Sequence, residues 1–256
     1  MTETILLCQP TSEGILTGVY TAYEWKLNPN TTHLQLGEVE NYQLFSDYKE
    51  IKTDRKKAVK VDRSLRRRFS SYTVESLWYA MASDDEKRGD AVYHTIARGL
   101  AGAYTGELMY YLQDPYVNLT AKLRQKVCNE AHHYKGFVRF AELESGVLYS
   151  EIEPQNEVLP FLGEHFADRF PGENFMIRDK VRGIYLVHER GREYYLFREQ
   201  KPQKHPLPYS HKEEQIQELF RRFVHSVSIK ERENLKLQQQ LLPLRFRSDM
   251  IEFMEE

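Results

Sequence analysis

The amino-acid sequence predicts an α+β fold, with a helical section and a mainly antiparallel sheet in a single compact domain over residues 1–256. Apolar residues recur at helical spacing over residues 73–134. After Gly136, strand-like segments follow one another without helices between all of them, an order typical of an antiparallel sheet. The chain has 256 residues, 41% of them hydrophobic, and is therefore long enough to bury a substantial core.

The N-terminal section, residues 1–72, opens with a predicted strand, turn and helix. Residues 4–9 are an apolar run that ends before Pro10. The apolar positions that follow at helical spacing are Ile15, Leu16, Val19, Tyr20 and Tyr23. Residues 27–41 are polar and predict a loop, and residues 42–51 have room for a short strand.

The rest of the chain has a helical section at 73–135, a strand-rich section at 136–200 and a C-terminal helix and tail at 209–256. The predicted strands are Phe137–Phe140, Gly146–Ile152, Phe175–Asp179, Ile184–Glu189 and Glu193–Phe197. One helix is predicted between them, at Asn156–Phe166. The last helix carries an apolar stripe of Ile216, Leu219, Phe220, Phe223, Val224 and Val227.

Two cysteines, Cys8 and Cys128, match no metal or disulfide pattern, and we expect neither a bound metal nor a cofactor. The run Ile5–Cys8 is too short to span a bilayer and lacks the basic flank of a signal peptide. We therefore expect a cytoplasmic protein with no membrane contact.

The segment 52–68 concentrates positive charge. It holds nine basic residues against two acidic ones, a net charge of +7, whereas the whole chain carries −2. Any nucleic-acid surface must therefore be local. The candidate phosphate contacts in this segment are Arg55, Lys56, Lys57, Arg63, Arg66, Arg67 and Arg68. The alternative is a solvated helix face balanced by acidic residues elsewhere.

Further donors suited to nucleic acid lie outside this segment. Arg139, on the predicted strand Phe137–Phe140, stands between aromatic residues, although an ordinary salt bridge on an exposed sheet face is the alternative. In the tail, the candidates are Arg232, Asn234, Gln238 and Arg245. A terminal helix that clasps the domain would explain the tail equally well.

Histidine and aspartate residues are the candidates for chemistry. We consider His165, Asp168 and Asp179 as acid–base groups, and Arg169 as an anion contact that shares a helix face with His165. An internal ion pair between Arg169 and an aspartate is the alternative. His132 and His133 could serve functionally or simply cap a helix, and no carboxylate stands near them at the spacing of a metal-binding motif.

Several segments, taken in order, resemble a known family. They are Glu130-Ala131-His132, Gly136–Phe140, Glu153-Pro154, His165–Pro171, Ile177-Arg178-Asp179, residues 229–234 and Leu242–Phe246. Together they resemble a bacterial family of unknown function, domain of unknown function 4130, described as proteins of DNA metabolism or repair. The resemblance covers nearly the whole chain.

The resemblance implies a pathway rather than a reaction. Members of the family share gene neighbourhoods with a radical-SAM partner protein, and some are fused to a uracil-DNA-glycosylase-like domain. This chain has neither that extension nor a radical-SAM cysteine triad, and so it resembles the stand-alone partner. The resemblance implies a DNA-metabolism protein that binds nucleic acid and works with the radical-SAM partner.

Two other functions stay open. The first is an enzyme that modifies nucleic acid or a nucleotide with His165 and Asp168 or Asp179, which requires these groups to meet in a pocket. The second is a protein-interaction adaptor, which predicts an exposed apolar patch and no coherent basic groove.

Overall fold

The computed structural model describes residues 2–39, 41–102, 104–199, 208–227 and 234–253. The fold is α+β, as predicted. The chain divides into an N-terminal unit, Met1–Asn129, and a C-terminal unit, Glu130–Glu256. A single domain over the whole chain stays a prediction. Within the described ranges, no helix combines the length and apolarity needed to cross a bilayer.

The N-terminal unit holds a small sheet and most of the helical section. Its elements are β1 (Glu3–Cys8), α1 (Ser12–Glu24), β2 (Thr32–Leu36), β3 (Ser46–Glu50), α2 (Arg55–Arg68), α3 (Ser71–Met81), α4 (Arg88–Leu100) and the first part of α5 (Pro115–Phe137). The helices predicted over residues 73–134 are therefore confirmed.

The sheet of this unit is parallel, unlike the mainly antiparallel sheet predicted after Gly136. β1 lies in the middle and pairs in parallel with β2 on one side and β3 on the other. The loop predicted over residues 27–41 is wrong in part, because β2 lies within it. Only Thr32 and Leu34 of β2 are buried, so its polar alternate residues concealed the strand.

Helix α1 packs directly on this sheet because Gly18 has no side chain. A Cβ atom at Gly18 would lie 2.5 Å from Cys8 Sγ and 2.9 Å from Leu34 Cδ2. The core beneath α1 includes the fully buried residues Leu6, Ile15, Leu77, Val92 and Ile96. Burial of these side chains joins β1, α1, α3 and α4 through one hydrophobic core.

The C-terminal unit contains a second sheet. Its elements after α5 are β4 (Ala141–Glu142), β5 (Leu148–Ile152), α6 (Gly163–Arg169), β6 (Phe175–Asp179), β7 (Ile184–His188), β8 (Tyr195–Arg198), α7 (His211–Val227) and α8 (Leu235–Leu241). The strand order is β4-β5-β6-β7-β8. Only β5 and β6 pair in parallel, and α6 lies in the crossover between them. This sheet is mainly antiparallel, as predicted.

Two predicted elements of this unit are wrong in detail. Phe137–Phe140 is not a strand, because α5 continues to Phe137, whose ring lies 5.6 Å from that of His133 and 5.3 Å from that of Phe246. The helix predicted over Asn156–Phe166 is a short 3₁₀ turn at Leu159–Phe161 followed by α6. Pro160 lacks a backbone N–H, which hinders an earlier helix start.

Candidate nucleic-acid interface

The basic segment folds as helix α2, held by a cap and an apolar face. The Asp54 carboxylate accepts hydrogen bonds from the backbone N–H groups of Lys56 and Lys57, at 2.8 and 3.3 Å. This N-cap satisfies donors that the first helical turn leaves free. The helix packs against α1 through a buried face of Ala58, Val61 and Leu65.

Three of the predicted phosphate contacts form ion pairs within the N-terminal unit. The nitrogen–oxygen distances are 2.6 Å for Lys57–Glu24, 2.9 Å for Arg66–Asp62 and 3.8 Å for Arg55–Glu13. The hydrogen bond to Glu24 raises the pKa of Lys57. These three cations are partly neutralised by neighbouring carboxylates.

The opposite face of α2 presents a stripe of cations to solvent. We call Lys56, Lys60, Arg63 and Arg67 the cation stripe. Its members are exposed and follow one another at spacings of four, three and four residues, which places them on one side of a helix. At a rise of 1.5 Å per residue, the stripe is about 16 Å long.

Most of the stripe is free of neutralising carboxylates. Lys56, Arg63 and Arg67 form no ion pair with any residue in the described ranges, and the same holds for the exposed Arg68. Lys60 Nζ lies 5.5 Å from the centre of the Tyr20 ring, which leaves its charge intact. The face directed to solvent therefore retains its positive charge.

A cavity of about 960 Å³ lies where the three parallel strands end. Gln9, Gly37 and Lys52 line it just after the carboxyl ends of β1, β2 and β3, the place where parallel α/β sheets commonly bind ligands. Its walls also include Tyr42, a tyrosine with 72% of its surface exposed. Glu38 and Glu50 oppose the charge of Lys52, so the cavity suits an uncharged ring better than a phosphate.

The N-terminal unit also brings together three groups that the sequence reasoning did not single out: His33 on β2, and Asp90 and His94 on α4. His33 Nδ1 lies 3.1 Å from Asp90 Oδ2, and His94 Nε2 lies 3.3 Å from Asp90 Oδ1. Burial raises the pKa of Asp90, but its contacts with the two imidazoles outweigh burial and lower it to about 2. The hydrogen bond to Asp90 raises the pKa of His33.

Helix α6 of the C-terminal unit carries three of the predicted residues. His165 and Arg169 lie four residues apart on it, and the Arg169 guanidinium is 5.6 Å from the centre of the Phe170 ring. Asp168 lines a cavity of about 750 Å³ together with His188. Burial and the positive charge of Lys135 lower the pKa of His165. The described contacts of Arg169 thus include no ion pair with an aspartate.

Asp179 lies at the end of β6 and is fully buried. Its carboxylate accepts hydrogen bonds from the backbone N–H groups of Val181 and Arg182, and it forms an ion pair with Arg182 at 3.0 Å. These contacts hold the turn into β7. Among the described contacts, none joins Asp179 to His165 or Asp168, so the structure does not show the three predicted acid–base groups in contact.

Arg139 follows the end of α5 instead of standing on a strand. Its guanidinium donates to the Gly136 carbonyl at 2.9 Å and to Glu252 Oε1 at 2.8 Å. A side chain that binds the last carbonyls of a helix is a C-terminal cap. Arg139 therefore has structural partners, one of which is the carboxylate of Glu252.

Arg245 lies beside a buried carboxylate. Glu130 is 2% exposed and accepts hydrogen bonds from the backbone N–H groups of Gln155 and Asn156, both at 2.9 Å. Arg245 Nη2 lies 3.7 Å from Glu130, and Nη1 donates to Gln155 Oε1 at 2.8 Å. Segments that carried the family resemblance thus meet around Glu130.

Of the remaining tail residues, Asn234 caps a helix and Gln238 is exposed to solvent. The Asn234 side chain caps α8 by accepting from the Leu237 N–H at 3.0 Å. Gln238, four residues further, is exposed on the same helix. Arg232 lies outside the described residues. The side-chain oxygen of Asn234 is engaged in the fold, while Gln238 remains accessible to a ligand.

A spacing signal could have found the group on α4. Asp90 and His94 are four residues apart, which places both on one helix face. His33 lies far away in sequence, and only the packing of α4 against β2 brings it to them. The cation stripe was contained in the predicted basic segment, but the predicted set did not include Lys60.

The architecture is that of an α+β protein with a basic helix beside a small parallel sheet. Residues 86–252 match a family described as a domain of unknown function, DUF4130. The chain belongs to this family, as the sequence motifs predicted. The match begins at residue 86, so α2 lies outside it. No curated protein matches the chain.

Proposed function

We propose that this protein binds nucleic acid in DNA metabolism or repair, in the cytoplasm, together with a radical-SAM partner protein. The observation that carries the proposal is the cation stripe of α2. Its side chains project from a capped helix. Binding phosphates therefore loses less conformational entropy than it would if the same residues stood on a loop.

The dimensions of the stripe fit a phosphate backbone. Neighbouring members lie about 4.5–6 Å apart along the helix axis, from a rise of 1.5 Å per residue. Four such cations could neutralise several phosphates of one strand or of one groove edge, and each contact releases counterions. The net charge of −2 confines this attraction to the face that carries the stripe.

The cavity at the ends of the parallel strands adds a place for a base. Lys52 on its wall precedes α2 by three residues, so the cavity adjoins the start of the basic helix. The exposed ring of Tyr42 offers a stacking surface for an unpaired base. This arrangement favours single-stranded or locally opened nucleic acid over a closed duplex.

Fluorescence anisotropy with labelled single-stranded and double-stranded DNA tests the proposal. We expect the triple variant Lys56→Gln, Arg63→Gln, Arg67→Gln to bind at least about tenfold more weakly, because three phosphate contacts are lost. The matched control is Lys122→Gln, Arg190→Gln, Arg198→Gln, which removes three charges from positions outside α2.

The control separates a specific face from overall charge. If both triple variants lose affinity equally, the attraction is diffuse and the cation stripe has no special role. If neither variant changes affinity, or the wild type does not bind DNA, the proposal fails. Buffers for these measurements contain a chelator, so that divalent metal ions do not bridge the protein and the DNA.

A second function, docking of a protein partner, is favoured by α7. The predicted apolar stripe of this helix is exposed: Ile216, Leu219, Phe220, Phe223 and Val224. Exposed apolar residues at helical spacing are typical of a surface that binds another protein. We assign this stripe to the radical-SAM partner that the family resemblance implies.

Co-purification with the partner tests this assignment. We expect Leu219→Asp with Phe223→Asp to abolish the complex, because a carboxylate in an apolar interface loses its hydration. The control, Gln215→Asp with Gln239→Asp, adds the same charge at exposed polar positions. Retention of the complex by the α7 variant would contradict the assignment.

A further inference from the structure

We propose that His33, Asp90 and His94 bind one divalent first-row transition-metal ion. Within the described part of the chain, these are the only three His, Cys, Asp or Glu side chains whose ligand atoms all lie within 4.8 Å of one another. Two imidazoles and a carboxylate are the ligand set of catalytic zinc sites and of non-haem iron(II) sites.

The distances between the ligand atoms suit a shared ion. With metal–nitrogen distances of about 2.0–2.1 Å, neighbouring ligand atoms stand roughly 2.8–3.0 Å apart around an octahedral centre and roughly 3.3–3.4 Å apart around a tetrahedral one. Asp90 Oδ1 lies 3.2 Å from His33 Nδ1 and 3.3 Å from His94 Nε2. The two distances to the carboxylate therefore already fit an ion, and all three ligand atoms lie within 4.8 Å of one another.

His94 provides an independent observation. Its side chain is 6% exposed, and its Nε2 atom makes no hydrogen bond of acceptable geometry with any described residue, although Asp90 lies at 3.3 Å. A buried polar nitrogen without a hydrogen bond costs free energy, and a metal ion would satisfy it. Tyr116 stacks on the imidazole at 4.0 Å between ring centres and fixes its orientation.

The backbone of β2 orients the carboxylate. β2 is an edge strand, and the Leu34 N–H donates to Asp90 Oδ1 at 3.2 Å. Such outer contacts hold a ligating carboxylate in place and strengthen metal binding. Asp90 thus accepts a hydrogen bond from the edge strand β2. It lies next to His33 on that strand and next to His94, one turn further along α4.

The open side of the group faces a cavity of about 580 Å³. His33 and Asp90 line it, with the polar side chains of Gln35, Gln43 and Lys87 around them. Three protein ligands leave at least one coordination position for water or a substrate. This arrangement fits a reactive site more closely than a closed structural one.

Titration of the chelator-treated full-length protein with Zn²⁺ and with Co²⁺ tests the proposal. We expect one equivalent of either ion to bind, with a Co²⁺ visible spectrum of low coordination number and an increase in melting temperature. Isothermal titration calorimetry gives the affinity and stoichiometry. Absence of a stoichiometric site for both ions overturns the proposal and leaves the three residues as an ion-pair cluster that joins α4 to β2.

Two variants assign the site to these residues. We expect His33→Gln and Asp90→Asn each to weaken Zn²⁺ binding by at least about a hundredfold, because even residues behind the ligands contribute about 10–100-fold. The control is His132→Gln, an exposed histidine in the C-terminal unit. His33 is partly exposed, so its variant keeps the protein folded, which circular dichroism verifies.

The outcomes separate this site from the DNA-binding proposal. If either variant keeps wild-type affinity for Zn²⁺, the assigned residue is not a ligand and the site as proposed is wrong. DNA binding by the cation stripe is measured in chelator, so loss of DNA binding leaves the metal result unaffected. Loss of metal binding likewise leaves the DNA result unaffected.

Discussion

At the scale of single residues, Glu130 shows how buried charge organises the C-terminal unit. A buried carboxylate is stable only where donors replace its water shell. The donors come from a distant loop, Gln155 and Asn156, and from Arg245 in the tail. One side chain therefore fixes a helix, a loop and the C-terminal segment of this unit.

Removing the charge of Glu130 should destabilise the protein strongly. We expect Glu130→Gln to lower the free energy of unfolding by about 3 kcal/mol, because an amide nitrogen would face N–H donors. Urea unfolding measures the change. Glu189→Gln is the control, since Glu189 pairs with Arg192 at an exposed position and should cost less than about 1 kcal/mol. Equal losses would show that Glu130 has no special role.

A second prediction at this scale concerns pH. Burial lowers the pKa of His133, and the positive charges of Arg245 and His132 lower it further. In the unfolded chain, histidine titrates near about 6.5. As the pH falls below that value, the unfolded chain takes up the proton first, so the free energy of unfolding decreases.

We therefore expect stability to fall between about pH 7.5 and 5.5, and to fall less in His133→Gln. Urea unfolding across this range gives the slope. His132→Gln, at the exposed neighbouring position, removes only the weaker charge repulsion on His133. It should keep most of the dependence of stability on pH. If His133→Gln and the wild type lose the same stability, His133 does not set the dependence.

At the scale of elements, close helix packing in the N-terminal unit depends on glycine. Gly18 allows α1 to approach the sheet, whereas a Cβ atom at Gly136, near the end of α5, would point into open space. Both glycines lie in α-helices, but Gly18 faces a packed core and Gly136 faces open space. Their alanine variants therefore separate packing from helix propensity.

We expect Gly18→Ala to destabilise the protein by about 1–3 kcal/mol, because the new methyl group overlaps Cys8 and Leu34. Gly136→Ala should instead stabilise it by up to about 1 kcal/mol, through the better helix propensity of alanine. Thermal and urea unfolding provide both values. A stabilised Gly18→Ala variant would mean that α1 does not approach the sheet this closely.

At the scale of the whole molecule, charge is separated along the chain. The net charge is −2, although α2 alone holds eight basic residues and one acidic residue. Long-range attraction to nucleic acid is therefore weak, and binding relies on close contacts of one face. Such binding depends steeply on salt.

If the cation stripe makes up to four phosphate contacts, the logarithm of the DNA affinity should fall with that of salt concentration at a slope of about −3. Each stripe residue replaced by glutamine should make the slope shallower by about 0.7–0.9, the contribution of one phosphate contact. Anisotropy at several salt concentrations measures it. An unchanged slope in Arg63→Gln would remove Arg63 from the interface.

Elements with strong local signals were predictable from the sequence. β6 occupies Phe175–Asp179 as predicted, and the helical stretch over 73–134 and the last helix were also found. Their periodicity is a local property of consecutive residues. β2 was not predicted because its polar residues hide the alternation of buried and exposed positions. Phe137 was assigned to a strand, whereas in the structure it ends α5 and its ring contacts those of His133 and Phe246.

The sequence by itself determined the α+β class, the family, and the concentration of positive charge over residues 52–68. Only the tertiary structure decided which cations of α2 are paired, because Glu13 and Glu24, the partners of Arg55 and Lys57, come from α1. The cations of the stripe keep their charge for a ligand. The tertiary structure also decided that His33 meets Asp90 and His94. Such meetings depend on burial and packing between distant segments, which no local pattern of residues encodes.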